Sequence, residues 1–89
     1  MDLTTGTENT LIGATAGSNL TDGDQNTALG AYALGQTIAG SSNNTALGYY
    51  ALGAGDVTYS GITAIGAYSL AENVGGQKNT AVGFQAGNV

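Results

Sequence analysis

The chain has 89 residues, and its composition excludes several kinds of chemistry. It contains 16 glycines and no cysteine, histidine, proline or tryptophan, and six acidic residues against one basic residue give a formal net charge of -5. Without cysteine the chain cannot form a disulfide or supply a thiolate nucleophile, and without histidine it lacks the imidazole that serves most often as a base or metal ligand. We therefore expect no enzymatic activity, no cofactor and no metal site.

The charge also argues against two classes of partner. Lys78 is the only cation, so the chain cannot release the counterions that drive nucleic-acid binding and is not attracted to an anionic membrane surface. No apolar stretch approaches the ~20 residues that span a bilayer. We expect no nucleic-acid partner and no membrane insertion of this segment. A chain this short buries only about 60–65% of its unfolded surface, which makes repetition or self-association expected.

Five copies of one sequence unit follow a lead-in of residues 1–8. The units start at positions 9, 26, 44, 62 and 79, and the repeat domain covers residues 9–89. Successive motif glycines are 17, 18, 18 and 17 residues apart. Polar, glycine-bearing connectors separate the units, and the chain stops inside a connector, which suggests a piece of a longer fibre. The motif glycines are Gly13, Gly30, Gly48, Gly66 and Gly83.

Each unit is predicted to be extended. A period of 17–18 residues is close to five helical turns, but a glycine inside every unit and the β-branched residues oppose a helix. The sequence therefore predicts an all-β fold, a β-solenoid (a parallel β-roll or β-helix) of five 17–18-residue coils. Side chains alternate along a strand, so Thr27 and Leu29 lie on one side and Ala28 on the other.

Stacking the coils aligns equivalent residues in columns. We expect an aliphatic column to be buried between coils, together with a second column of Leu34, Leu52 and Leu70. Asparagines at the start of the units would join side-chain amides from coil to coil, and Ile62 would interrupt this ladder. The aliphatic column is Ile12, Leu29, Leu47, Ile65 and Val82, and the asparagines are Asn9, Asn26, Asn44 and Asn79.

The small residues next to the aliphatic column leave two interpretations. The column of Leu11, Ala28, Ala46, Ala64 and Ala81 could form a bare strip that admits the backbone of another chain. Alternatively, the alanines could fill the narrow interior of the coil. The sequence does not decide between these two arrangements.

The segment Asn44-Thr45-Ala46-Leu47-Gly48-Tyr49-Tyr50-Ala51-Leu52 resembles the repeats of phage tail fibres. Ala64-Ile65-Gly66 is similar to the core of the head repeats of trimeric autotransporter adhesins. The resemblance covers nearly the whole chain and implies an intertwined or side-by-side homotrimer, extracellular, on a virion tail fibre or a bacterial surface. It implies a rigid shaft or head that attaches to a host receptor, with a bacterial adhesin head as the alternative.

Few residues are candidates for a binding site. Tyr49 and Tyr59 are predicted contacts with a receptor such as a cell-surface glycan, since a tyrosine can stack on a sugar and donate a hydrogen bond. Tyr32, Tyr50 and Tyr68 share a column and could do the same, although their strict register favours packing. Residues 22–26 carry alternating oxygen donors but lack the later ligands of a calcium loop, which favours a solvated turn.

Two further functions are compatible with a solenoid. An acyltransferase of the hexapeptide-repeat kind is a remote alternative, because such enzymes usually rely on a histidine and this chain has none. An ice-binding face would need two threonine columns, whereas the residue two positions after each threonine is aliphatic. Neither alternative is expected.

Overall fold

A computed structural model describes residues 7–18, 23–35, 41–53, 60–71 and 78–87. Five strands of three residues each form one parallel sheet in chain order. No helix occurs in these five ranges. This arrangement is compatible with a β-solenoid or β-roll. The strands are β1 (Thr10–Ile12), β2 (Thr27–Leu29), β3 (Thr45–Leu47), β4 (Thr63–Ile65) and β5 (Thr80–Val82).

Equivalent residues of successive units lie directly opposite one another. Thr27 pairs with Thr45 and Leu29 with Leu47, and the same register holds at every strand pair. The turns after the strands continue the stack, since the Tyr50 N–H donates to the Ala31 carbonyl at 3.0 Å and the Tyr68 N–H to the Tyr49 carbonyl at 2.9 Å. The predicted columns therefore exist in the strands and in the second half of each unit.

The motif glycine allows the chain to turn after each strand. Gly48 has a φ of 126°, and a Cβ on it would lie 2.8 Å from the carbonyl carbon of Gly66 in the next unit. A side chain is excluded at this position both by the backbone angle and by the neighbouring backbone. The close approach lets consecutive turns stack as tightly as the strands do.

Left-handed backbone is frequent in the second half of the unit. Tyr50 and Leu52 have φ values of 60° and 50°, and their equivalents in the neighbouring units are alike. Bulky residues rarely adopt this region. The second half of each unit is consequently a series of turns instead of the strand that its tyrosines and leucines would favour.

The core is a narrow interior filled by small residues and leucines. Ala28, Ala46 and Ala64 are fully buried, and Leu34 and Leu52 are buried with them. Of the two interpretations of the alanine column, the interior one is correct: alanine fills the space between the sheet and the turns opposite it. Leu11 stands in this column in the first unit, and a Cβ on Gly17 would lie 2.8 Å from its side chain.

Candidate functional site

The described part of the chain offers surfaces rather than a pocket. It has no cavity or cleft, and it has no group of three or more acidic residues that could hold a metal ion. Asp24, which belongs to the segment 22–26, accepts hydrogen bonds from the N–H and the hydroxyl of Thr7 at 2.8 and 3.1 Å. The surfaces that remain are the outward side of the sheet and a cluster of aromatic rings.

The outer sheet face is formed by the first and third residue of each strand. These positions form two columns on the side away from the interior. Leu47 is 40% exposed and Val82 is 66% exposed, with Leu29 and Ile12 between them, while Ile65 is half-buried. The columns are Thr10, Thr27, Thr45, Thr63 and Thr80, and Ile12, Leu29, Leu47, Ile65 and Val82.

The expected burial of the aliphatic column within one chain is therefore wrong. Strand alternation sends one side of Thr-Ala-Leu inward, and the interior is too narrow for both columns of larger side chains. Alanine takes the inward position and leucine the outward one. Single exposed apolar side chains are common, but here they lie next to one another along the sheet.

Five aromatic side chains form a cluster beside this face. Tyr50 stacks between Tyr32, at a centroid distance of 4.9 Å and an interplanar angle of 17°, and Tyr68, at 5.6 Å and 8°. Tyr49 meets all three rings edge to face, at 5.0 Å from Tyr50, and Phe84 meets Tyr68 at 6.2 Å. Such stacked and edge-to-face pairs contribute about 0.5–1.5 kcal/mol each beyond the area that they bury.

The stacking decides how these rings could meet a ligand. Both faces of Tyr50 are covered by Tyr32 and Tyr68, so a sugar ring cannot stack on it. Packing, the second of the two interpretations for this column, accounts for its register. Tyr49 is 45% exposed and Phe84 is 70% exposed, and these two rings carry the accessible aromatic surface.

Tyr49 is also the ring whose ionisation the cluster perturbs. Partial burial raises the pKa of its hydroxyl above the ordinary 10.0, and the neighbouring hydroxyls of Tyr68, Tyr50 and Tyr32 raise it further. A side-chain hydrogen bond with Tyr68 raises the pKa as well, so the neutral phenol persists at any physiological pH. Tyr59, the second predicted contact, lies outside the described residues.

The asparagine ladder runs through three units. The Asn26 Oδ1 accepts hydrogen bonds from the backbone N–H and the side-chain Nδ2 of Asn44, both at 3.0 Å. The Asn26 Nδ2 donates to the Asn9 Oδ1 at 3.1 Å. Both Asn26 and Asn44 are buried. Ile62, buried in the same column, ends the side-chain ladder. These amides fix the register of the units instead of forming a site for a ligand.

Two exposed features were not predicted from the sequence. The first is Phe84, which follows its motif glycine as Tyr49 does in the third unit; this alignment would have identified it as part of the aromatic cluster. A polar column just before the asparagines was missed as well: Gln25 Nε2 donates to Glu8 Oε1 at 3.0 Å, and Asn43 Nδ2 donates to Gln25 Oε1 at 2.8 Å.

No family model, curated protein or solved structure matches this chain. Among the described residues, no helix has the length and apolar character needed to cross a bilayer. The two exposed surfaces and the sequence repeats are therefore the features of the chain that bear on its function.

Proposed function

We propose that the chain is a structural and adhesive segment of an extracellular homotrimeric fibre. In this proposal it is a β-solenoid of five 17–18-residue coils whose outer sheet face packs against two further copies. The observation that carries the proposal is the exposed column of aliphatic side chains in register along the whole sheet. A monomer would leave this column in water.

The chemistry of the outer sheet face suits contact with an identical chain. Threonine and aliphatic residues make up both columns, and none of the ten residues is charged. Contact between these columns therefore brings no charged side chains of the ten residues together. Burying the exposed part of each aliphatic side chain contributes roughly 0.5–1.5 kcal/mol to association. Each copy contributes five such side chains, so the contributions add up.

The resemblance to fibre repeats supports the biological assignment. A shaft or head of a phage tail fibre that attaches to a host receptor is the proposed role, and the head of a bacterial trimeric autotransporter adhesin is the alternative. The neighbouring coding sequence distinguishes them: tail genes or a self-cleaving chaperone indicate a phage, and a membrane anchor indicates an adhesin. The role is not enzymatic in either case.

The receptor contact is proposed for the exposed aromatic rings. Tyr49 presents a neutral hydroxyl and about half of its ring to solvent, which suits a glycan on a host surface, and Tyr59 remains a second candidate. Glycan-array binding by the purified chain tests this part. Loss of binding in Tyr49→Ala, with the oligomeric state unchanged, would support it.

Light scattering coupled to size exclusion tests the trimer. We expect the mass of three chains at micromolar concentration, and we expect Leu47→Asp to lower it because a carboxylate would enter the apolar contact. Thr15→Asp is the matched control, since Thr15 is exposed outside the outer sheet face and aspartate tolerates its left-handed backbone. A monomeric parent chain, or equal dissociation of both variants, would contradict the proposal.

A further inference from the structure

Four tyrosines of the aromatic cluster connect the second, third and fourth units. Tyr32, Tyr50 and Tyr68 stack on one another in a column, and Tyr49 meets all three of these rings edge to face. These contacts lie within the stack of units, and they bring four phenols together. Packing and a glycan contact do not exhaust the chemistry of such a group, because phenols that lose an electron couple to one another.

Tyr49 is the ring of this group that an oxidant in solution reaches most easily. It is 45% exposed, whereas Tyr32, Tyr50 and Tyr68 are half-buried. Loss of one electron and the hydroxyl proton from a phenol leaves a radical. Its unpaired electron lies partly on the two Cε atoms, which are the ring carbons next to the carbon that carries the hydroxyl. Two such radicals in contact join through these Cε atoms.

Tyr68 is the partner that the geometry selects for Tyr49. The two rings belong to neighbouring units, with centroids 5.5 Å apart and an interplanar angle of 75°. Tyr32, in the neighbouring unit on the other side, lies farther away at 6.1 Å. A side-chain hydrogen bond also joins the hydroxyls of Tyr49 and Tyr68. Because the coupling carbons are bonded to the hydroxyl-bearing carbons, contact between the two hydroxyls brings the coupling carbons together.

The stacked pairs are poorly oriented for coupling. Tyr50 and Tyr68 are nearly parallel, with an interplanar angle of 8°, so their faces oppose each other. The bond between two coupled rings lies in the plane of each ring. Stacked rings would therefore have to turn onto their edges inside a packed column, whereas an edge-to-face pair already directs one edge at the neighbouring ring.

From this geometry we propose that Tyr49 and Tyr68 form a dityrosine, a carbon–carbon bond between their rings, when the chain meets a peroxide and a haem peroxidase. Each phenol gives one electron to the oxidised haem and its hydroxyl proton to water. A bond then forms between a Cε of Tyr49 and a Cε of Tyr68, and the hydrogen on each joined carbon moves through water to the phenol oxygen. In total, one hydrogen peroxide is reduced to two waters, and the chain loses two hydrogen atoms.

The bond would lock the third unit to the fourth. It closes a loop from residue 49 to residue 68, and such a closure restricts the unfolded chain as a disulfide does. The chain has no cysteine, and this cross-link needs no thiol. Because both rings belong to one chain, the reaction depends neither on the proposed trimer nor on the proposed glycan contact.

Oxidation of the full chain by a haem peroxidase and hydrogen peroxide, at low protein concentration, tests the proposal. We expect the mass of the single chain to fall by two hydrogen atoms and dityrosine fluorescence to appear. The product is then denatured and cut by a protease that cleaves before aspartate, since cleavage before Asp56 separates Tyr49 from Tyr68. The fragments that carry these two tyrosines should stay joined after oxidation and should separate in the untreated chain. The oxidised chain should also unfold at a higher urea concentration.

Phenylalanine variants identify the pair, because phenylalanine keeps the ring and lacks the hydroxyl. Tyr49→Phe and Tyr68→Phe should each abolish the joined fragments, and Tyr32→Phe, the matched control in the same cluster, should keep them. Circular dichroism establishes that each variant folds, and the fragments of the parent chain decide the matter for a variant that does not.

Three results would overturn the proposal: coupling only between chains, coupling confined to residues before Asp56, or joined fragments that survive Tyr68→Phe. Loss of the joined fragments in a folded Tyr32→Phe would overturn the assignment of the pair as well. A trimer without the cross-link would contradict this inference alone, and a cross-linked chain that is monomeric before and after oxidation would contradict the proposed function alone.

Discussion

Asn44 and Ile62 lie in register in neighbouring units, and the Ile62 N–H donates to the Asn44 Oδ1 at 2.9 Å. The side-chain oxygen of an asparagine thus accepts from the backbone of the following unit even where that unit has no asparagine. Ile62 keeps the hydrogen bond from its backbone N–H, and its buried aliphatic side chain takes the place of the asparagine amide. The column therefore keeps the same backbone hydrogen bond whether the following unit has an asparagine or an isoleucine.

Asn26→Ala should cost about 1–3 kcal/mol in the free energy of unfolding, because it removes the buried acceptor that the Asn44 backbone N–H uses. The substitution also removes the donor to the Ser41 carbonyl, which lies 2.8 Å away. Urea unfolding followed by circular dichroism measures the effect. The control is Asn79→Ala, at the same position of the last unit but exposed, for which a change within about 0.5 kcal/mol is expected. Equal effects would show that burial of the amide is unimportant.

Gly48→Ala should destabilise the chain more than Gly83→Ala does. Both glycines have a φ of 126°, so both substitutions introduce about 1–3 kcal/mol of backbone strain. Only at Gly48 does the new methyl group also meet a backbone carbonyl carbon, at 2.8 Å, which should add about 1–3 kcal/mol. The free energies of unfolding of the two variants should be compared at one protein concentration. Identical losses would mean that close stacking of the turns has no energetic role.

Thr15→Asn should stabilise the chain by about 0.5–1.5 kcal/mol. Thr15 is exposed and has a φ of 62°, a backbone region that β-branched residues avoid and asparagine accepts. The same change at Thr80, an exposed strand residue, should be neutral or destabilising because asparagine is unfavourable in strands. Thermal unfolding of both variants measures the difference, and a loss of stability in Thr15→Asn would contradict the strain argument.

Alkaline pH should destabilise the fold partly through Tyr49. Its pKa is raised in the folded chain, so the folded state holds the phenolic proton more tightly than the unfolded state. The contribution is fully present below pH 10.0, the ordinary value, and is lost as the pH rises through the folded pKa. Denaturant unfolding across this range, with ultraviolet titration of the phenols, measures it. Tyr49→Phe should show a smaller alkaline loss than the parent chain, and an equal loss would assign the effect elsewhere.

The strand register was predictable because the repeats are nearly identical where it matters. Thr27-Ala28-Leu29 and Thr45-Ala46-Leu47 can be superposed by eye, and parallel stacking then pairs each residue with its equivalent. Ile62 was likewise recognisable as an interruption of the asparagine ladder. The buried column of Leu34 and Leu52 followed from the same alignment.

Which side of each strand faces inward could not be predicted from alternation alone. Alternation separates Leu47 from Ala46 but does not give the width of the interior, and that width depends on where the chain turns back. The turns depend on left-handed residues such as Tyr50 and Leu52, whose intrinsic preferences oppose that backbone. Stacking against equivalent residues stabilises them collectively, a contribution that no single unit reveals.

The zero offset between β3 and β4 has a consequence for how such a chain can change in length. Thr45 pairs with Thr63 without any shift in register. Deleting one whole repeat would therefore join two equivalent points of the backbone, and each remaining strand would still pair with an equivalent strand. A rod of this construction can be shortened or extended by recombination in whole steps while its outward chemistry stays the same. A deletion or insertion of only part of a repeat would place leucine at an interior position that alanine must fill, and such variants would be removed by selection.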